Sequence, residues 1–328
     1  MMDFQEMKGT VDQTLRSIGH VFVGEEILLR KLLCGGLSNS HVLFEDNPGL
    51  GKTLLTKVFA KMLGCNWGRI QFTPDLLPAD IVGTRVWKHE GSKFVLEKGP
   101  IFTNILLADE INRSPPKTQS ALLEAMEEQQ VTIEGVTHKL PMPFFVVATQ
   151  NPIELEGTYP LPEAQIDRFA LKLSTGYVKT LEKECQILKR RIEWRKDDPT
   201  DDITPCIDSE TFLAMQSLCE KDVYVDPKII EYITKIIRKT REHPKISVGS
   251  SPRGGLALLK VSRALAASYG RDFVTPDDIK IFAKDVIAHR LILRVEYALE
   301  DVDPATIVDE IVSQIEVPKD WTREKKGG

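Results

Sequence analysis

The sequence predicts an α/β fold: a parallel sheet covered on both faces and built around a phosphate-binding loop over residues 1–180, then a smaller all-helical domain over 181–328. Three observations lead there. Short, unbroken apolar runs alternate with helical patterns as far as Leu173 and then stop. A glycine-rich loop ending in Gly51-Lys52-Thr53 joins the first of these runs to a helix. Beyond residue 200 the pattern is helical, with legible caps. A length of 328 residues and a hydrophobic content of 42% suit two domains with a sizeable core.

The apolar runs are 41–45 (HVLFE), 69–72 (RIQF), 105–109 (ILLAD), 144–149 (FFVVAT) and 169–173 (FALKL). Runs of this length without alternation suit strands buried on both faces. Helical patterns lie at 53–63 and 117–130. The second follows Pro115-Pro116 and has Ala121, Leu122, Ala125 and Met126 at one-face spacing. Residues 181–197 read as a charged, solvated amphipathic helix leading into the second domain. After the polar loop 197–205, helices are expected at about 209–220, 226–242, 252–269 and 276–289, with a fifth after Asp303. Ser251 before Pro252 and Thr275 before Pro276, with Asp278 three residues after Thr275, are N-cap signatures.

Composition narrows the classes. Forty-three basic and 48 acidic residues give a net charge of −5, which argues against a surface that grips nucleic acid throughout. No apolar run approaches the roughly 20 residues of a spanning helix. The first fifteen residues lack the basic and apolar segments of a signal peptide. The five cysteines form no CxxC pair, against a zinc cage or disulfide framework. A cytoplasmic location is the expectation.

The loop Asp46-Asn47-Pro48-Gly49-Leu50-Gly51-Lys52-Thr53 has the strand-before, helix-after context that a phosphate loop needs. Its glycines let backbone N–H groups approach phosphates, and the helix N-terminus adds a favourable dipole. Lys52 reaches the β- and γ-phosphates, and the Thr53 hydroxyl binds Mg²⁺. Asp46 stands where the general pattern has glycine. A carboxylate at the mouth of a polyanion site is expected to weaken nucleotide binding relative to glycine unless it turns away. The third run ends in Asp109-Glu110. Ligands gather at the carboxyl ends of strands in such sheets, so Asp109 would hold Mg²⁺ and Glu110 would polarise an attacking water. Asn151, just past the fourth run, would orient that water. Arg168 precedes the last run. Arg253 lies in the first turn of the Ser251-capped helix, where a cation opposes the helix dipole and so needs a nearby anion.

These residues together resemble a MoxR-family AAA+ ATPase. The resemblance rests on NPGLGKT (47–53), FTPDLLPADIVG (72–83), GPIFTNILLADEINRSPPKTQSALLEAMEE (99–128), ATQNP (148–152), LPEAQIDRF (161–169) and SPRG (252–255), which span nearly the whole chain. It implies an αβα core, a helical lid and a ring, usually a hexamer, that binds ATP and Mg²⁺. By the same resemblance Asn47, Pro48, Gly49, Leu50, Gly51, Lys52, Thr53 and Leu54 form or follow Walker A, and Asp109 and Glu110 form Walker B. Asn151 matches sensor 1, Arg253 sensor 2, and Arg168 the arginine finger that reaches a neighbour's ATP. Val21, Val23 and Gly24 match the segment flanking the adenine. Segments 84–96 and 131–140 read as hairpins turning at 90–92 and 134–135, pointing toward the ring's pore or top face, where Trp87, Lys88 and His89 could meet a client or simply pack. The resemblance implies remodelling of client protein complexes, often with a von Willebrand factor A-domain partner. The other readings are a motor acting on nucleic acid, disfavoured by the net charge, and a scaffold that binds ATP without turning it over.

Overall fold

The computed structural model describes residues 2–89, 93–152, 158–196 and 198–323. In chain order the elements are α1 (Phe4–Val21), α2 (Glu26–Leu37), β1 (Val42–Glu45), α3 (Lys52–Met62), β2 (Trp67–Gln71), α4 (Pro78–Val82), β3 (Gly83–Lys88), β4 (Lys93–Lys98), β5 (Ile105–Asp109), α5 (Pro116–Glu128), β6 (Gln130–Ile133), β7 (Val136–Lys139), β8 (Phe145–Gln150), α6 (Glu163–Ile166) and β9 (Leu171–Leu173). Then come α7 (Leu181–Trp194), α8 (Ser209–Lys221), α9 (Pro227–Glu242), β10 (Ile246–Val248), α10 (Pro252–Ser268), α11 (Pro276–Ile287), β11 (Ile292–Leu293), α12 (Val295–Leu299) and α13 (Pro304–Gln314).

The five apolar runs become one parallel sheet in the order β2-β5-β8-β1-β9. Alternate residues of each strand feed two separate cores, because a strand sends successive side chains to opposite faces. Val42, Phe44, Ile105, Leu107, Phe145, Val147, Leu171 and Leu173 face α1, α2 and α3. Leu43, Leu106, Ala108, Val146 and Ala148 face α4 and α5. Such double coverage explains the unbroken apolar runs of β1, β5 and β8, whereas the edge strand β2 alternates exposed Arg69 and Gln71 with buried Ile70.

Both expected hairpins form. β3 pairs antiparallel with β4 and β6 with β7. The second turns at Glu134 and Gly135, both at positive φ (47° and 81°), as a tight two-residue turn requires. The 90–92 turn lies outside the described residues. On the first hairpin, Trp87 and Phe94 are register partners that pack edge to face while staying largely exposed.

The chain after β9 is mainly helical, with two differences from expectation: β10 and β11 form a small antiparallel pair, and the short helix α12 precedes the one after Asp303. The cap signatures hold. Ser251 accepts from the Arg253 N–H, and Thr275 and Asp278 form a reciprocal capping box. α10 runs centrally through this region, packed on α8, α9 and α11, and also on α1 and α2. Its buried Ala264, Ala266 and Ala267 allow that close approach. The C-terminal helices thus share one apolar core with α1, α2, α3 and one face of the sheet. Among the described residues, no helix is long and apolar enough to cross a membrane.

Candidate active site

The loop between β1 and α3 uses left-handed backbone at Gly49 (φ 82°) and Gly51 (φ 77°), a conformation that favours glycine. Gly51 is the N-cap of α3, and no side chain caps that helix. The first-turn N–H groups therefore face the loop as donors for an anion. The Lys52 ammonium donates to the carbonyl oxygens of Asp46 (3.1 Å) and Asn47 (3.0 Å). Partial burial pulls its pKa below the ordinary lysine range, against the opposing pull of Asp46, Asp109 and Glu110.

Two cavities meet at this loop, sharing Gly49, Leu50, Gly51 and Leu54. The first, of about 390 Å³, also has Lys52, Thr53, Asp109, Glu110 and Asn151 in its wall. The second, of about 340 Å³, has a wall that is mostly apolar, including Val21, Val23, Gly24, Tyr177 and Trp194. The Phe22 ring lies against Gly24 and Gly51: a Cβ on either would approach the ring to 2.6 Å or 3.2 Å. The two cavities together bring the expected loop, acids, Asn151, Val21, Val23 and Gly24 to two adjoining spaces that share the loop as a wall.

The acids are held by partners that sequence spacing does not show. Thr149, at the end of β8, donates to Asp109 Oδ1 (2.6 Å) and accepts from the Glu110 N–H (2.9 Å). Arg69 donates to Asp109 Oδ2 at 2.7 Å. Gln71 and Arg113 donate to Glu110 Oε2 at 2.8 Å and 2.9 Å. Glu110 sits at φ 57°, which turns its side chain out of the strand direction. Thr149, Gln71 and Arg69 are brought in by the parallel register of β2, β5 and β8, whereas Arg113 comes from the short turn after Glu110.

Asp46 lines the first cavity, but its carboxylate does not point at the phosphate space. Its carboxylate is turned to Ser174, Thr175 and Gly176, just past β9.

Arg168 and Arg253 line neither of these cavities. They share a third one, with Glu127, Asp167, Lys260 and Arg290. Glu127 bridges them, at 3.1 Å from Arg168 and 2.8 Å from Arg253. Asp167 lies 3.9 Å from Arg253 and 2.6 Å from Arg290. These two acids are the anions that offset a cation in the first turn of α10. Buried Arg290 also donates to the carbonyls of Asp167 and Phe169, fixing the backbone on either side of Arg168.

A sheet of this order, with a Gly-Lys-Thr loop after β1 and an acid pair at the carboxyl end of β5, defines an AAA-type P-loop ATPase. The profile described as the ATPase family associated with various cellular activities (AAA) matches residues 41–171, and that of the AAA lid domain matches 238–311. Chaperone MoxR1 of Mycobacterium tuberculosis is 37% identical over 94% of this chain and 83% of its own. YeaC of Bacillus subtilis is 45% identical over 97% of this chain and 98% of its own. A crystal structure of a Cytophaga hutchinsonii protein superposes with a TM-score of 0.89 at 37% identity, covering 96% of this chain and 97% of that one. The chain belongs to the MoxR family of AAA+ ATPases.

Proposed function

We propose that the chain binds Mg²⁺–ATP across the two joined cavities and hydrolyses it to ADP and phosphate. Residues 1–180 would be the nucleotide core and 181–328 the lid. The observation behind this reading is that an apolar cavity, suited to a base, shares the glycine loop as its wall with a cavity combining helix N–H donors, Lys52 and two carboxylates. The Thr53 hydroxyl and Asp109 carboxylate fit Mg²⁺, a hard cation that takes oxygen ligands and keeps waters and phosphate oxygens for the rest. Bound there, Mg²⁺ would offset charge on the phosphates. Lys52 would face the β- and γ-phosphates, Glu110 would accept the proton of the attacking water, and Asn151 would orient that water.

Arg168 and Arg253 lie together on a different cavity, so both are read as completing a neighbouring copy's site, in a ring that the family makes a hexamer. The energy would drive remodelling of client protein complexes in the cytoplasm, with a von Willebrand factor A-domain partner.

Lys52→Ala is expected to weaken nucleotide binding. Glu110→Gln is expected to keep binding and lose turnover, because it spares the metal site and removes the base. A phosphate-release assay with Mg²⁺ and ATP checks both. Turnover by Glu110→Gln at the wild-type rate would refute the assignment.

A further inference from the structure

Asp46 is 5% exposed and occupies the first position of the phosphate loop. Its main chain and side chain hold different things. The carbonyl oxygen accepts from the Lys52 ammonium. The carboxylate accepts four hydrogen bonds from one short segment: Ser174 Oγ (2.5 Å) and Gly176 N (3.4 Å) at Oδ1, and Thr175 N (2.8 Å) and Thr175 Oγ1 (2.9 Å) at Oδ2. This segment leads from β9 to α7, and Thr175, Gly176, Tyr177 and Val178 form one wall of the apolar cavity. Two further ties hold α7, from Lys183 to Glu25 at 2.7 Å and from the buried Arg190 to the Gly19 carbonyl oxygen at 2.7 Å. The first is solvated and weak and the second lies further along α7, so the buried carboxylate is the fixed point of the segment 174–176 itself. Hydrogen bonds to an ionised, buried acceptor are strong, and unpairing its donors adds their desolvation cost.

We propose that Asp46 is a positioning residue for the wall that packs on the nucleoside. It latches the segment 174–176 to the phosphate loop, and so sets affinity for the base and ribose rather than for the phosphate chain. The proposal rests on the nucleotide reading above and deepens it. Without the carboxylate, the phosphate loop keeps its glycines, its helix N-terminus and Lys52, while the facing wall loses its anchor. Glycine at this position, although it restores the general loop pattern, would therefore weaken ATP binding.

The test is calorimetric titration of ATP and of inorganic tripolyphosphate, both with Mg²⁺, into wild type, Asp46→Gly, and the double variant Ser174→Ala/Thr175→Val, which removes the two hydroxyl donors of the latch without touching the loop. Thermal melts of each variant verify folding. Asp46→Gly is expected to bind ATP about tenfold more weakly and tripolyphosphate within about twofold of wild type. The double variant, which keeps the two backbone N–H donors, should weaken binding of ATP by a smaller factor and leave that of tripolyphosphate, and adding its changes to Asp46→Gly should cost little more, since the acceptor is already gone. Equal losses for the two ligands, or unchanged ATP affinity in either variant, would overturn the latch alone. Failure of wild type to bind ATP would overturn the functional reading and the latch with it.

Discussion

His41 is a buried imidazole at the entrance to β1. Its Nδ1 accepts the Val146 N–H at 3.0 Å, so Nε2 holds the proton and donates to the Met126 carbonyl oxygen at 3.1 Å. Burial depresses its pKa to about 4, and His289, buried beside Arg290, is depressed as well. Both are therefore neutral in the fold. Below about pH 6.5 the unfolded chain takes up protons that the folded chain refuses. Stability present above that pH is lost as pH falls toward 4, by up to about 1.4 kcal/mol per pH unit for each histidine. Urea denaturation at pH 7.5 and 5 should show the loss, and His41→Gln should flatten the dependence. A midpoint unchanged between these pH values would contradict the buried neutral assignment.

Among the elements, α2 was the least legible in the sequence. Its stretch ILLRKLLCGGL is nearly continuous in apolar residues, which does not separate strand from helix, and two adjacent glycines each disfavour a helix by about 1 kcal/mol. Packing decides it. A Cβ on Gly35 would lie 2.6 Å from Val42 Cγ2, and one on Gly36 3.1 Å from the Phe212 ring. The glycines let α2 lie close against β1 and α8. Gly35→Val should cost about 1–3 kcal/mol through overpacking. Gly9→Ala, on an exposed face of α1 with nothing within 4 Å, should be neutral or gain up to about 1 kcal/mol. Thermal melts compare the two. The five sheet strands, by contrast, were legible to within one or two residues, because burial on both faces of the inner strands β1, β5 and β8 writes an apolar run into a local stretch. The phosphate loop and Asp109-Glu110 were legible for the same reason: each is a local motif at a strand end. The partners of those acids were not. Thr149, Gln71 and Arg69 reach them through pairing between strands distant in sequence. Asp46 was read as a charge near phosphates because its partners lie about 130 residues further on.

At the scale of the whole molecule, the acidic centre and the arginine pair belong to different surfaces of one chain. Neither Arg168 nor Arg253 lines the cavity of Lys52 and Glu110. Arrays in which each copy's arginines face the next copy's acids are head-to-tail and close into rings when the rotation permits. An arginine finger is worth about 10³–10⁵ in rate in other phosphoryl-transfer systems. ATPase activity per subunit should thus rise with protein concentration, and Arg168→Ala should bind ATP while losing most turnover. Mixing it with Lys52→Ala should restore part of the activity, because some interfaces then pair an intact Lys52 with an intact Arg168. Activity independent of concentration, with Arg168→Ala as active as wild type, would refute the arrangement. The burial of α10 against α1 and α2 bears on where force could arise. Pulling those helices apart would expose apolar surface at about 25 cal/mol per Å², and Arg290 clamps the same region to the strand edge. The interior joint is therefore stiff. α7, whose one buried side chain, Arg190, donates to the Gly19 carbonyl oxygen of α1, is the least buried of these helices, and it borders the apolar cavity directly. A stroke powered at that cavity would bend α7 and shift one rigid copy against the next, with the work done at the seams of the ring.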